Sequence, residues 1–132
     1  MTGLLKITKI DGAVPVLKFE GHLDAQTENM AVENARAVLD AGARYLLIDL
    51  QGVEMVTSAG LRALHSIYKM FTPTDEAQAW HADHANETFK SPYLKLAGPS
   101  SQVHYVLSIA GFLQNIPIYP TLQEALASFP SK

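Results

Sequence analysis

The apolar run YLLIDL at residues 45–50, followed by a polar step and an amphipathic segment, constrains the fold most strongly. A compact apolar run of this length is typical of a central strand that is covered on both faces. After the polar step Thr57–Gly60, which reads TSAG, apolar residues recur at helical spacing from Leu61 to Phe71. The two segments therefore predict a strand followed directly by a helix, which is the unit of parallel α/β sheets.

The remainder of the chain repeats this alternation. Two strands joined by the turn DGAVP open the sequence, and Gly42 is expected to end the first helix, because glycine readily adopts a left-handed backbone there. The predicted elements are, in order, strands Leu5–Ile7 and Val14–Phe19, helix Ala25–Ala41, strand 45–50, the helix from Leu61, strand Tyr93–Ala97, helix Ser101–Ala110, strand Ile116–Tyr119 and helix Leu122–Phe129. This order predicts an α/β fold with a mixed, mostly parallel sheet of about five strands and about four helices, built from right-handed crossovers.

Composition narrows the classes of function. The chain has 132 residues, of which 48% are hydrophobic, and these values predict a single domain with a substantial core. Its formal net charge of -3 and its scattered Lys and Arg residues disfavour direct nucleic-acid binding. It contains no cysteine, which excludes disulfides, thiolate zinc sites and a cysteine nucleophile. With no signal-peptide pattern and no apolar run near the roughly 18 residues of a membrane span, we expect a cytoplasmic protein without membrane insertion.

Residues 72–92 interrupt the pattern with a polar segment that is bounded by prolines. The segment is too long for an ordinary helix–strand connection, so we interpret it as an inserted loop with one helical turn around Asp75–His81. Its sequence HADH (81–84) places Asp83 between two histidines, but zinc normally requires a third protein ligand at informative spacing. We therefore expect no metal site, and the chain contains neither of the two common nucleotide-phosphate loop motifs, which predicts no cofactor.

The Thr57–Gly60 step admits three interpretations of Ser58. Its hydroxyl is suited to cap the following helix, where a serine is worth about 1 kcal/mol. A hydrolase nucleophile elbow needs a small residue two positions earlier, where this chain has the β-branched Val56, and no later histidine stands in a recognisable setting. A phosphate on Ser58 would meet the free amides and the positive end of the helix dipole. Capping and phosphorylation both stay open on these grounds, and we expect no catalytic residue.

Four stretches of the sequence resemble the STAS domain family, in particular the bacterial anti-sigma factor antagonists (anti-anti-sigma factors). They are FEGHLD (19–24), LLIDLQGVEMVTSAGLRAL (46–64), LKLAGPSSQVHYVLSIAGF (94–112) and IPIYPTLQEALA (116–127). They occur in the family's order and with its spacing, and together they span almost the whole chain. The resemblance implies a STAS-like (SpoIIaa-like) fold and a binding module that is not an enzyme.

The resemblance also implies a phosphorylation-dependent partner. In the family, the unphosphorylated domain binds an anti-sigma factor that is itself a serine kinase, and thereby releases a sigma factor and regulates transcription. That kinase phosphorylates the serine at the start of the second helix, the complex dissociates, and a serine phosphatase reverses the modification. Carried over by motif, the phosphoacceptor is Ser58. Thr57 stands where the family often has an acidic residue. We expect Thr57 either to be an alternative acceptor or to change how the kinase recognises the site.

The residues that the resemblance assigns to partner binding are Asp24, Asp49, Thr57, Ser58, Gly60 and Leu61. Asp24 corresponds to the family's acidic or amide residue beside the serine, and Asp49 to the aspartate that closes the third strand. From the residues alone, Asp24 is also a candidate N-cap of the first helix, and Asp49 a strand-end residue that accepts hydrogen bonds from turn amides. Alternative roles are a scaffold in a signalling assembly or a subunit of an anion or lipid transport system. The insertion is a candidate for partner contact or self-association.

Overall fold

The computed structural model describes residues 4–84 and 87–130, with the backbone alone at positions 112 and 113, and shows strands and helices in alternation. Its strands are β1 (Leu5–Ile10), β2 (Val16–Leu23), β3 (Leu46–Val56), β4 (Leu94–Ala97) and β5 (Ile118–Tyr119). Its helices are α1 (Glu28–Asp40), α2 (Ser58–Phe71), α3 (Thr74–Asp83), α4 (Ser101–Ile109), α5 (Phe112–Asn115) and α6 (Leu122–Ala127). The predicted order of strands and principal helices is confirmed, and α3 and α5 are additions to it.

The described strands form one mixed sheet in the order β1-β2-β3-β4-β5. β1 pairs antiparallel with β2, and every other neighbouring pair is parallel. Because the sheet order follows the chain order, right-handed crossovers place the connecting helices α1, α2 and α4 on the same face. The predicted mixed, mostly parallel sheet is therefore confirmed.

The strand β3 shows how the two faces of the sheet are used. Leu46, Ile48 and Leu50 belong to the main core, together with buried residues of α1, α2 and α4. Leu47 belongs to a smaller cluster that includes Ala125 of α6. Neighbouring residues of the strand thus pack on opposite faces, and both faces are covered. This arrangement explains why the sequence here is an apolar run and not an alternation of apolar and polar residues.

β3 extends well beyond the predicted strand and ends at Val56. Its second half pairs with β2, with Gly21 opposite Val53 and Leu23 opposite Val56. Two shifts of register along this pair adjust the alignment, as β-bulges do. As a result, the Thr57–Gly60 step lies next to the end of β2 and the turn that follows β2.

The insertion contains a ten-residue helix, α3, where the sequence predicted a loop with one helical turn. Contacts with residues outside the helix hold it: the Tyr93 hydroxyl donates a hydrogen bond to Glu76, and Trp80 packs edge-on against the buried Phe89. None of the residues of α3 is fully buried, so the helix has no apolar stripe. The prediction of a loop is wrong because the helix depends on these contacts and carries no amphipathic periodicity.

Candidate functional site

An open groove lies between the turn after β2 and the N-terminus of α2. It is lined by Asp24, Ala25, Gln26, Thr57, Ser58, Ala59 and Arg62. Its two sides are far apart in the sequence, and they meet because β2 and β3 end side by side. At that point the Thr57 amide donates a hydrogen bond to the Leu23 carbonyl at 3.0 Å. Three residues of the predicted partner-binding set, Asp24, Thr57 and Ser58, are therefore brought together.

Thr57, and not Ser58, caps helix α2. The Thr57 side chain accepts a hydrogen bond from the Gly60 amide at 3.4 Å, and its backbone is extended, as is typical of an N-cap residue. Ser58 is the first residue of the helix and is exposed. The capping interpretation of Ser58 is therefore wrong, because β3 continues to Val56 and leaves Thr57 as the one residue between strand and helix.

Thr57→Ala is expected to lower the free energy of unfolding by about 1 kcal/mol, because an amide in the first turn of α2 loses its acceptor. Thr57→Ser keeps the hydroxyl and is the matched control, with an expected change within about 0.5 kcal/mol. Urea unfolding followed by circular dichroism measures both changes. A larger loss in Ser58→Ala than in Thr57→Ala would contradict the assignment of the cap.

Asp24 shapes the turn between β2 and α1 and does not cap the helix. Its Oδ1 accepts hydrogen bonds from the amides of Gln26 at 3.0 Å and Thr27 at 3.2 Å. Thr27 occupies the N-cap position, but its hydroxyl donates to the His22 carbonyl at 2.8 Å and makes no capping bond to the helix. The predicted N-cap role of Asp24 is wrong, because α1 begins only at Glu28. The residue nevertheless lines the same groove as Ser58.

Gly60 and Leu61 connect the groove to the core. Gly60 is buried, and a Cβ atom at this position would lie 2.2 Å from the Leu23 carbonyl oxygen. The first turn of α2 therefore lies directly against the end of β2. Leu61 is half-buried and packs against the main core, so part of its side chain remains accessible.

Arg62 lines the groove but was not among the residues predicted from the sequence. Its Nε and Nη2 atoms donate hydrogen bonds to the two carboxylate oxygens of Glu28, at 2.7 and 2.9 Å. This pair lowers the pKa of Glu28 and raises the pKa of Arg62, in both cases chiefly through the hydrogen bonds between the two side chains. Glu28 lies in the first turn of α1 and is 34 positions earlier in the chain, so no local sequence signal indicates the pair.

Asp49 lies away from the groove. It is buried within β3, and its Oδ1 accepts a hydrogen bond from the Gln51 amide at 3.0 Å. The strand continues from Asp49 to Val56, which corresponds to about 23 Å of extended backbone. The expectation that Asp49 closes the strand is wrong, because pairing with β2 carries β3 on to Val56.

Comparison with known protein families identifies the chain. The family model of the STAS domain matches residues 5–75. This chain belongs to the STAS domain family. The match extends from β1 through α2 and includes every residue that lines the groove. It ends just after the start of α3, so most of the insertion of this STAS domain lies beyond the matched region.

Solved structures share the fold of this STAS domain. An anti-sigma factor antagonist from Mycobacterium paratuberculosis is similar at 21% identity, with 97% of each chain covered and a TM-score of 0.76. The anti-sigma factor antagonist SpoIIAA in its unphosphorylated form is similar at 10% identity, with 94% of each chain covered and a TM-score of 0.58. The Bacillus cell fate determinant SpoIIAA in its phosphorylated form is similar at 12% identity, over 94% of this chain and 97% of the other, with a TM-score of 0.57. At these identities the likeness establishes the fold, and the predicted STAS-like fold is confirmed. No curated protein gives a significant match to the chain.

His84 of the HADH sequence takes part in local packing. Its ring stacks on Trp80 with centroids 4.1 Å apart, and its Nδ1 is hydrogen-bonded to the Trp80 carbonyl at 2.8 Å. Across residues 4–84 and 87–130 of the STAS domain, no three His, Asp or Glu side chains are grouped so that they could hold a metal ion. Among the helices in the described part of the chain, none has the length and apolar character of a membrane span.

Proposed function

We propose that this STAS domain is an anti-sigma factor antagonist, and that phosphorylation of Ser58 switches its binding to an anti-sigma factor with serine kinase activity. The unphosphorylated domain binds the anti-sigma factor and frees a sigma factor, and a serine phosphatase restores this state. The observation that carries the proposal is the exposed position of Ser58 as the first residue of α2, while Thr57 supplies the cap.

The division of roles between the two hydroxyls favours Ser58 over Thr57 as the acceptor. The Thr57 oxygen accepts the Gly60 amide, so modification of Thr57 would first have to remove the cap of α2. The Ser58 hydroxyl has no hydrogen-bond partner within the described residues and lines the open groove. A kinase can therefore reach Ser58 without disturbing the helix. We infer that Thr57 is a cap and not a second acceptor.

The groove supports a switch that acts on binding and leaves the fold in place. A phosphate on Ser58 adds a charge of about -1.5 to -2 at neutral pH. The N-terminus of α2 accommodates this charge, because the helix dipole is positive at that end. A partner that docks on the groove would instead meet a large new negative charge beside Asp24. We propose that Asp24, Ser58 and the accessible part of Leu61 form the surface that contacts the partner. Asp49 and Gly60 are buried, so we assign them a structural role without contact with the partner.

Similar proteins support the choice of partner and of modification. The similar structures from Mycobacterium paratuberculosis and of unphosphorylated SpoIIAA are both of anti-sigma factor antagonists. SpoIIAA has also been solved in a phosphorylated form, and that structure too shares the fold of this chain. These likenesses support a regulatory binding module that is subject to phosphorylation.

Phosphopeptide mapping tests the proposal. The domain is incubated with ATP and the anti-sigma factor kinase encoded in the same genome, and the phosphate is located by mass spectrometry. We expect one phosphate, on Ser58, and no incorporation in Ser58→Ala. Ser101→Ala is the matched control, because Ser101 is the exposed first residue of α4 and, like Ser58, directly follows the residue that caps its helix. Phosphate on Thr57, or undiminished incorporation in Ser58→Ala, would refute the assignment.

A further inference from the structure

We propose that Arg62 is the internal receptor for the phosphate on Ser58, and that phosphorylation transfers the Arg62 guanidinium from Glu28 to the phosphate. The inference rests on the proposed function, because it takes Ser58 as the modified residue. Its consequence is that phosphorylation also uncovers the Glu28 carboxylate at the start of α1. One modification then leaves two negative centres on the partner-facing surface, the added phosphate and the uncovered carboxylate.

The spacing on α2 places the two groups within reach of one another. Ser58 and Arg62 are four residues apart on the same helix, both are exposed, and both line the groove. Residues at this spacing are neighbours on one helix face, with Cβ atoms about 5–6 Å apart. The arginine side chain spans this distance by rotation about its own bonds. The backbone of α2 therefore need not move for Arg62 to contact a phosphate on Ser58.

Arg62 is free to exchange its present partner because most of its side chain is exposed to water. The guanidinium makes two hydrogen bonds to Glu28, but 64% of the Arg62 side chain and 21% of the Glu28 side chain are exposed. Water and salt therefore screen the arginine side of this bidentate pair, and the guanidinium has open space to rotate away from Glu28. Among the residues that line the groove, Arg62 alone is cationic. It is therefore the nearest groove group of the right charge for a phosphate.

A phosphate competes favourably with the Glu28 carboxylate for this guanidinium. It carries about -1.5 to -2 charges at neutral pH against -1, and it offers three strong acceptor oxygens. Arginine binds both groups through two parallel hydrogen bonds, so its fork geometry is retained in the exchange. The phosphate would also lie on the same helix as Arg62, whereas Glu28 lies on α1. Contact with the phosphate therefore does not depend on the relative position of the two helices.

The exchange explains how a local modification alters a wider surface. Before phosphorylation, Arg62 and Glu28 neutralise each other across the α1–α2 boundary. After phosphorylation Arg62 is paired with the phosphate, and the Glu28 carboxylate in the first turn of α1 is no longer paired with Arg62. A negative charge is tolerated there, because it lies at the positive end of the α1 dipole. The freed carboxylate is then available to repel an acidic partner surface.

The test uses phosphoserine placed at position 58 during translation, so that no kinase is required. A 31P NMR titration gives the pKa of the second phosphate ionisation in three proteins: the otherwise unchanged domain, Arg62→Gln and Lys69→Gln. At low salt we expect Arg62→Gln to raise this pKa by about 0.2 to 0.4 of a unit, because a neighbouring cation is lost. Lys69→Gln is the matched control, since it removes a cation from the last turn of the same helix, and no measurable shift is expected.

A second measurement follows Arg62 directly. In the unphosphorylated domain, Glu28→Gln is expected to shift the Arg62 Nε–H resonance in a 1H–15N spectrum, because the two side chains are in contact. In the phosphorylated domain the same substitution should leave that resonance unchanged, because Arg62 has moved to the phosphate. Arg62 is exposed and Glu28 is partly buried, and circular dichroism verifies that the Arg62→Gln and Glu28→Gln variants are folded.

Two results would overturn the exchange. The first is an equal phosphate pKa with and without Arg62, and the second is a Nε–H resonance that still responds to Glu28→Gln after phosphorylation. Either would leave the Ser58 switch itself intact, because the kinase assay tests that assignment separately. Conversely, an anti-sigma factor that fails to modify Ser58 would not affect these measurements, since the phosphoserine is installed during translation. The two failures are therefore distinguishable.

Discussion

Phosphoserine at position 58 is expected to weaken binding of the anti-sigma factor about 100-fold, which corresponds to about 2.7 kcal/mol. The phosphate adds about -1.5 to -2 charges to a groove that contains Asp24 and borders Glu28. A partner surface that fits the unmodified groove would then have to bury this phosphate, whose charge of about -1.5 to -2 is compensated only in part by the single positive charge of Arg62. Unpaired or like-charge contacts of this kind weaken association by several kcal/mol, so the expected loss is within their range.

Isothermal titration calorimetry with the translationally phosphorylated domain measures this loss. The control carries phosphoserine at Ser101, which is the exposed first residue of α4 and follows Ser100, whose side chain caps that helix by accepting from the Val103 amide. It presents the same group at the same helical position outside the groove, and we expect its affinity within about twofold of the unmodified domain. Equal losses at both positions would indicate a general charge effect, and full affinity with phosphoserine 58 would eliminate the switch.

The loss of binding is expected without loss of folding. A phosphate in the first turn of α2 interacts favourably with the helix dipole, which is worth about 0.3 to 1 kcal/mol at an exposed site. The urea midpoint of the phosphorylated domain should therefore equal or exceed that of the unmodified domain. A lower midpoint would mean that weakened binding reflects partial unfolding and not a change at the surface.

Gly60→Ala is expected to lower the free energy of unfolding by about 3 kcal/mol, although alanine is intrinsically the better helix former. A Cβ atom at position 60 would lie 2.2 Å from the Leu23 carbonyl oxygen and 2.9 Å from its carbonyl carbon. These are backbone atoms, so they cannot rotate aside as the end of a side chain can. The same carbonyl accepts the Thr57 amide, and relief of the clash would therefore pull the start of α2 away from β2.

Urea unfolding of two further glycine variants isolates the steric cause. Gly12→Ala introduces a Cβ whose nearest neighbour, the Val14 carbonyl oxygen, is at an ordinary 3.7 Å, and a change within about 0.5 kcal/mol is expected. Gly42→Ala meets no atom within 4 Å but has a φ of +103°, so backbone strain alone should lower stability by about 1 kcal/mol. If Gly60→Ala lost no more than Gly42→Ala, α2 would have room to move and the close approach would not constrain it.

The order of strands and helices was predictable because it depends on patterns within each segment. The apolar run at 45–50 became the first half of β3, and the helical spacing from Leu61 to Phe71 became most of α2. Gly42 follows the end of α1 with a positive φ, as the turn chemistry indicated. Such signals are carried by neighbouring residues, so they can be recognised without knowledge of the rest of the chain.

The length of β3 and the presence of helix α3 were not predictable, because each depends on residues in another part of the chain. β3 continues to Val56 because β2 pairs with it, and residues 51–56 carry no sequence signal that indicates this pairing. The helix α3 is held by Tyr93 and Phe89, which come after it in the chain. Each feature is stabilised by a segment outside itself, so the local pattern alone predicted too little structure in both places.

By itself, the sequence determined a mixed α/β sheet and a serine at the start of the second helix, because hydrophobic periodicity and turn chemistry are local properties. The tertiary structure decided which hydroxyl caps that helix: Thr57 takes the role because the pairing of β3 with β2 sets where the strand ends. The same pairing leaves Asp49 about 23 Å of extended strand away from the end of β3. The packing of α1 against α2 brings Arg62 to Glu28. These features depend on contacts between residues distant in the chain, and neither segment alone carries a signal for them.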